Sequence, residues 1–281
     1  MSVLELPEVE VLRKDLEKEV AGKRIKDVVV ETPGIVRPFH RNRPELVKAL
    51  EGRKVELVRR RGRTIFLDLD EGVTWIIDPG LDGSMHRETA TQEAVEGTHL
   101  AVTFTIGGAL HLSAPGEAAT VRTGVVPTAE ALEAAGISPD ALDPLDDNPP
   151  WMEFGRFLAE ADGPLKLVLI DQNRILGLGP VYSDEILWEA GLRHDHPSSK
   201  LSTQEVRRLY RAMQEVIVAA MKAAGPSLDE ADLEPDDDAE PAEHLRVYGR
   251  AGLPCHRCRR PISRTRIRKG VYTFHCDQCM I

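Results

Sequence analysis

The chain has 281 residues, a formal net charge of −10, and 42% apolar and 29% charged residues. That length accommodates two or three domains with cores of their own. No apolar run approaches the ~18 residues that a membrane helix needs, and so acidic a body excludes a surface that is basic throughout.

The first residues, Met1-Ser2-Val3-Leu4-Glu5, lack the basic start and apolar core of a secretory leader. The expected compartment is therefore the cytoplasm, where thiols stay reduced. Residues 7–20 read as a helix: Pro7 suits a first turn, Glu8 and Glu10 suit its positive end, and Leu12, Leu16 and Val20 recur at four-residue spacing. From about 24 to 125 the pattern shortens to strands. They are centred on 28–30, 54–58, 64–69, 73–77, 100–105 and 109–112, with Glu71-Gly72 and Gly107-Gly108 placed as hairpin turns. The expectation is an antiparallel sandwich or barrel with a helix packed on it.

A stretch rich in Pro and Asp, 140–150, marks a boundary. Beyond it the pattern turns helical over 151–161, 166–171 and 183–190. Ser202-Thr203-Gln204-Glu205 then opens a long amphipathic helix that Gly225-Pro226 stops. Residues 226–243 hold nine acids and no base, and read as a solvated linker or as a competitor of nucleic acid for the basic tail. Residues 245–281 reverse the balance, with nine Lys or Arg against Asp277 alone.

All four cysteines lie in that tail, as Cys255-His-Arg-Cys258 and Cys276-Asp-Gln-Cys279 with seventeen residues between the pairs. Two such pairs place four thiolates around one structural Zn²⁺; two disulfides or four unrelated thiols are the alternatives. The intervening segment carries six Lys or Arg and no acid, which points to nucleic acid. His256 and His275 adjoin a ligand set that is already complete, and His86, His99 and His111 read as ordinary surface or core histidines.

Three stretches taken together resemble the formamidopyrimidine-DNA glycosylase and endonuclease VIII family. They are Glu5-Leu6-Pro7-Glu8-Val9-Glu10; Leu165-Lys166 through Asp171 to Gly177-Leu178-Gly179-Pro180-Val181-Tyr182-Ser183-Asp184-Glu185; and Leu245-Arg246-Val247-Tyr248-Gly249-Arg250 running into the cysteines. The resemblance implies an α+β multidomain fold. Its parts would be an N-terminal helix with an antiparallel β-sandwich (1–135), a helix–two-turn–helix domain (150–225), an acidic linker (226–244) and a zinc β-hairpin (245–281). It also implies a monomer that binds damaged or abasic duplex DNA, with no membrane partner. The family chemistry flips a base out of the duplex, attacks the sugar with an N-terminal proline amine, and moves protons through an adjacent glutamate.

Alignment on Glu5 puts Leu4, whose nitrogen is an amide, at the proline position. Glu5 and Glu8 then match catalytic positions, although Glu8 is equally a first-turn helix residue and Glu5 equally a remnant. Arg63 corresponds to a phosphate-binding lysine, and Leu81 to the residue that fills the space left by the flipped base. Lys166 and Tyr182 match positions near DNA, and Lys166 reads also as a plain surface lysine. The residues that oppose the orphaned base fall on Gly116-Glu117-Ala118-Ala119, the phosphate-binding asparagine on Pro180, and the hairpin arginine on Val271, leaving Arg268 or Lys269 to take over. The expected function is DNA recognition with lyase chemistry lost or altered. The alternatives are an active glycosylase or lyase using the Ser2 amine, Lys166 or a Glu5-activated water, and a scaffold recruited to RNA or protein.

Overall fold

The computed structural model describes residues 4–80, 83–88, 97–106, 108–114, 120–224 and 243–281. The positions Ser2, Leu81, Gly107, 116–119 and 226–242 discussed above lie outside the described residues. The chain forms two compact units, one within Met1–Pro139 and one combining Asp140–Ala223 with the C-terminal segment to Ile281. No described helix is long and apolar enough to cross a membrane.

The first unit begins with α1 (Leu6–Val20), whose Val9, Leu12, Leu16 and Val20 are fully buried along one stripe. Strand β1 (Ile25–Val30) follows, then α2 (Arg43–Leu50), β2 (Val55–Arg61), β3 (Thr64–Leu69), β4 (Val73–Asp78), β5 (Ser84–Glu88), β6 (Thr98–Phe104), β7 (Ala109–Ser113), β8 (Arg122–Pro127) and α3 (Ala131–Ala134). The strands form two antiparallel four-stranded sheets, ordered β1-β6-β7-β5 and β2-β3-β4-β8. One core joins α1 to inward residues of both sheets, among them Ile65, Leu67, Trp75, Ile77, Leu100 and Val102.

β3 and β4 read as unbroken apolar runs because both of their faces are covered. Phe66 and Ile76 point away from the main core and pack with Ala131, Ala135 and Phe39 in a second, smaller cluster. Trp75 donates its indole N–H to Thr123 Oγ1 at 2.8 Å, and Thr123 in turn donates to the Ile76 carbonyl at 2.9 Å, so these two buried polar groups are paired.

Four elements of this unit escape the period-based reading, one of them the four-residue α3. β5 is polar and pairs only with β7, at a sheet edge. β8 carries Gly124 and Pro127, tolerated because it too is an edge strand. α2 has eight residues, below the length at which a 3.6-residue period registers, yet its cap was visible: Asn42 accepts the Glu45 backbone N–H at 3.1 Å.

The second unit holds α4 (Trp151–Ala161), α5 (Leu165–Leu169), α6 (Pro180–Ala190), α7 (Thr203–Ala224) and a hairpin of β9 (Ser263–Arg268) with β10 (Val271–His275). α6 begins three residues before the expected Ser183, since Pro180 fits a first helical turn. Ser202 and Glu205 close the expected capping box of α7.

Gly124 of β8 faces Phe39, and a Cβ added there would lie 2.2 Å from the Phe39 Cβ. Gly124→Ala is expected to destabilise the first unit by about 1–3 kcal/mol, the usual cost of overpacking. Gly34→Ala, with open space around it, should leave the urea midpoint unchanged.

Candidate functional site

Leu4 is only 7% exposed and belongs to the main core of the first unit. The chain therefore enters α1 with its backbone pinned by an apolar anchor. Glu5, fully buried, is the N-cap of α1 and forms a capping box with Glu8, whose carboxylate accepts the Glu5 backbone N–H at 3.1 Å. Two carboxylates at a helix start are favoured by its positive dipole end.

One turn on, Glu10 takes 2.7 Å and 3.1 Å contacts from Arg60 and Arg13. Burial opposes its charge, but the hydrogen bonds and charges of the two arginines outweigh burial and hold the carboxyl below its usual range. Arg63 sits half-buried at the β2–β3 turn, and its side chain has no partner among the described residues.

In the second unit the structure centres on two adjacent acids of α6 that no sequence motif marks for a role. Asp184 Oδ1 accepts Lys166 Nζ and Thr273 Oγ1 at 2.7 and 2.6 Å, and Oδ2 accepts the Phe274 backbone N–H at 2.9 Å. Glu185 accepts three consecutive backbone N–H groups, from Arg246, Val247 and Tyr248, at 2.8–2.9 Å. Burial pushes both carboxyls upward, against these donors and, for Asp184, against the Lys166 charge. The signal was present in the sequence. Two acids in an otherwise apolar helix face inward only if donors from elsewhere satisfy them.

Lys166 is 0% exposed and donates to Asp184 and to the Pro180 carbonyl, both at 2.7 Å. Tyr182 is 3% exposed. Lys166 lies in the interior, and the little of Tyr182 that is exposed lines a cavity with Glu185, Trp188 and Arg246. Gln172 buttresses the same turn by donating to the carbonyls of Ile170 and Leu178 and accepting from the Gly177 N–H.

The sulfurs of Cys255, Cys258, Cys276 and Cys279 all lie within 4.8 Å of one another and could hold a metal ion. The two knuckles repeat one turn: the Arg259 N–H donates to the Cys255 carbonyl at 2.9 Å and the Met280 N–H to the Cys276 carbonyl at 3.1 Å. Burial raises the Cys255 thiol, but the backbone N–H groups of Cys258 and Arg257 outweigh it and draw it down to about 6. Cys279 is pushed up to about 12 by burial and the three sulfurs around it. Arg257 stacks on Trp188 at 3.8 Å and pairs with Glu189 at 2.9 Å, tying the first knuckle to α6. His256 is exposed, and His275 engages Thr265 and Asp277. In the sandwich, His99 is a core residue bonded to Thr32 and to the Ala114 carbonyl, and His111 is buried. Arg268 and Lys269 are exposed at the hairpin turn.

The model of the formamidopyrimidine-DNA glycosylase N-terminal domain matches residues 3–121, and that of the same enzyme's H2TH domain matches residues 130–231. The formamidopyrimidine-DNA glycosylases of Thermus thermophilus and Enterococcus faecalis are 33% and 32% identical to this chain, over 98% of it and 97% and 96% of themselves. The chain belongs to the formamidopyrimidine-DNA glycosylase family. The crystal structure of the Thermus thermophilus protein superposes with a TM-score of 0.80 at 31% identity, covering 98% of each chain. A Lactococcus lactis family structure in complex with a Fapy-dG containing DNA shares the fold, with a TM-score of 0.84 at 24% identity over 98% of this chain and 99% of that one.

Within this family member, the Lys166–Asp184 pair is the feature most exposed to mutational test. Removing one partner of a buried ion pair strands the other charge. Lys166→Met and Asp184→Asn, measured singly and together by urea denaturation, are expected to show a coupling of about 1–3 kcal/mol. Additive effects would mean that the pair does not interact as described.

Proposed function

We propose that this chain is a DNA-binding member of its family that recognises damaged or abasic duplex DNA and has lost or altered the lyase step. The observation that carries this reading is the burial of Leu4 in the sandwich core. Leu4 aligns with the proline nucleophile, and its nitrogen is an amide because Val3 precedes it. An amide lone pair is delocalised into the carbonyl and does not add to a sugar C1′. Glu5, the neighbouring proton carrier of the family, is committed here to the helix cap.

The other amine weighed above, Lys166, is buried against Asp184. Its Nζ is enclosed between Asp184 Oδ1 and the Pro180 carbonyl, so this geometry favours a positioning role for Lys166 over a nucleophilic one. Arg63, Arg268 and Lys269 remain as candidate phosphate contacts, Leu81 as the candidate wedge, and Glu5-activated water or the Ser2 amine as the remaining routes to activity.

The metal we assign to the four cysteines is one structural Zn²⁺. The Cys258–Cys276 and Cys255–Cys279 sulfur separations of 3.4 and 4.0 Å bracket the ~3.8 Å expected between thiolates at about 2.3 Å from a tetrahedral zinc. Its double positive charge would let all four thiols ionise despite their mutual repulsion. The zinc would close the C-terminal hairpin and leave the chemistry of the active end untouched.

Two measurements test the reading. Incubation with a duplex containing an abasic site, followed by borohydride, is expected to trap no covalent adduct while gel shift shows that the duplex is bound. An adduct mapped to a residue of this chain would overturn the loss of the amine mechanism. Elemental analysis is expected to give about one zinc per chain, with Cys258→Ser lowering the content and loosening the hairpin; retention of full zinc in that variant would exclude the four-thiolate site.

A further inference from the structure

Both cysteine knuckles are seated on the C-terminal turn of α6. Arg257, which lies between Cys255 and Cys258, donates to the carbonyls of Trp188 and Glu189 in that turn. Beyond the second knuckle, the Ile281 N–H donates to the Gly191 carbonyl at 3.3 Å. Gly191 ends the helix at φ +67°, and a Cβ there would lie 3.3 Å from the Cys279 carbonyl.

This placement poses an electrostatic problem. Four thiolates outweigh the charge of one divalent ion, and the C-terminus of a helix is itself the negative end of its dipole. An anionic cluster in that position needs donors. The Arg257 guanidinium covers the helix carbonyls, and backbone N–H groups of the first knuckle act on the Cys255 sulfur.

A further donor comes from outside the hairpin. Trp188 is 5% exposed, and its indole Nε1 is buried without an ordinary hydrogen bond among the described residues. A buried N–H left in that state costs free energy. The indole nevertheless acts on Cys255: burial raises that thiol, and the N–H groups of Cys258 and Arg257, then the indole, draw it down. A neutral thiol is a weak acceptor, whereas an anionic sulfur takes a charge-assisted hydrogen bond. The ring is held in its orientation by Arg257, which stacks on it at 3.8 Å and is itself anchored by the Glu189 carboxylate at 2.9 Å.

We propose that Trp188 is a positioning residue of the metal site, its indole N–H donating to the Cys255 thiolate when the metal is bound and its ring clamped by Arg257. Such a bond withdraws electron density from the sulfur, favours the ionised thiol and fixes the ligand in place. The inference rests on the four-thiolate site proposed above and adds to it a donor from α6.

The test uses the full chain. Zn²⁺ affinity is measured by competition with a chelator at fixed pH. The Co²⁺-loaded protein is then followed by ultraviolet absorption, where the thiolate-to-metal charge-transfer band reports the sulfur electrons. Trp188→Phe removes the N–H and keeps an aromatic face for Arg257. It is expected to weaken Zn²⁺ binding by about 10- to 100-fold, the usual cost of losing an outer-shell partner. It should also move the charge-transfer band to lower energy at unchanged intensity, since a sulfur without the hydrogen bond gives up its electrons more readily. Arg257→Met, which frees the ring, should lower the affinity and shift the band in the same direction. Trp151→Phe, the same exchange on α4, should change neither. Unchanged Zn²⁺ affinity in Trp188→Phe, or weaker binding with an unmoved band, would overturn the inference; the second outcome would leave Trp188 a packing residue alone. If urea denaturation shows that Trp188→Phe does not fold, Arg257→Met decides by the same two readings. A wild-type protein without a thiolate band on Co²⁺ loading would sink the four-thiolate site and this inference together. A full band in the wild type that Trp188→Phe leaves unmoved would sink this inference alone.

Discussion

Two adjacent carboxylates buried in one helix organise the second unit. Asp184 and Glu185 together accept six contacts, from Lys166, Thr273, Phe274, Arg246, Val247 and Tyr248. A buried carboxylate without such donors would cost several kcal/mol or take up a proton. The requirement therefore fixes where the segment before the first knuckle and the strand before the second must run. The cysteine cluster and the β9–β10 hairpin inherit their positions from it. A metal at the cysteines would act on a hairpin that is already tethered, through Asp184 at β10 and through Arg257 on Trp188 at the first knuckle.

The first unit is governed by a different constraint, the apolar entry into α1. Leu4 fills part of the sandwich core, and Glu5 and Glu8 satisfy the helix start reciprocally. Both are stabilising arrangements, and they fall on the positions for which the proposed reading asks whether chemistry survives. Residues held for packing and capping have little freedom to move protons or to present a nucleophile.

Much of this was legible in the sequence. The α1 stripe, the strands with clear apolar runs, the α7 capping box and the paired cysteines each follow a local rule of period, cap or spacing, and each was found close to its observed place. Edge strands β5 and β8 were not, because half of a strand's signal comes from the sheet face it covers, and edge strands cover less. α2 was missed because eight residues supply too few turns for a period. At the site, the cysteines were readable since metal ligation is written in short spacings. The Lys166–Asp184–Thr273 chain joins residues eighteen and eighty-nine positions apart, and no local pattern reports such a distance. The alternative reading of Lys166 as a plain surface lysine fails for that reason. Its neutralising partner lies a helix away, and only the fold brings the two together.

The central claim is that recognition has been kept and strand cutting has not. It is tested most directly by following one sample in two ways: a stoichiometric complex of the full chain with an abasic duplex, assayed for binding on a native gel and for strand integrity on a denaturing gel. The account predicts a retarded complex whose abasic strand stays intact for as long as that of a protein-free control. A strand cut within a single turnover, at a rate set by the protein, would contradict it.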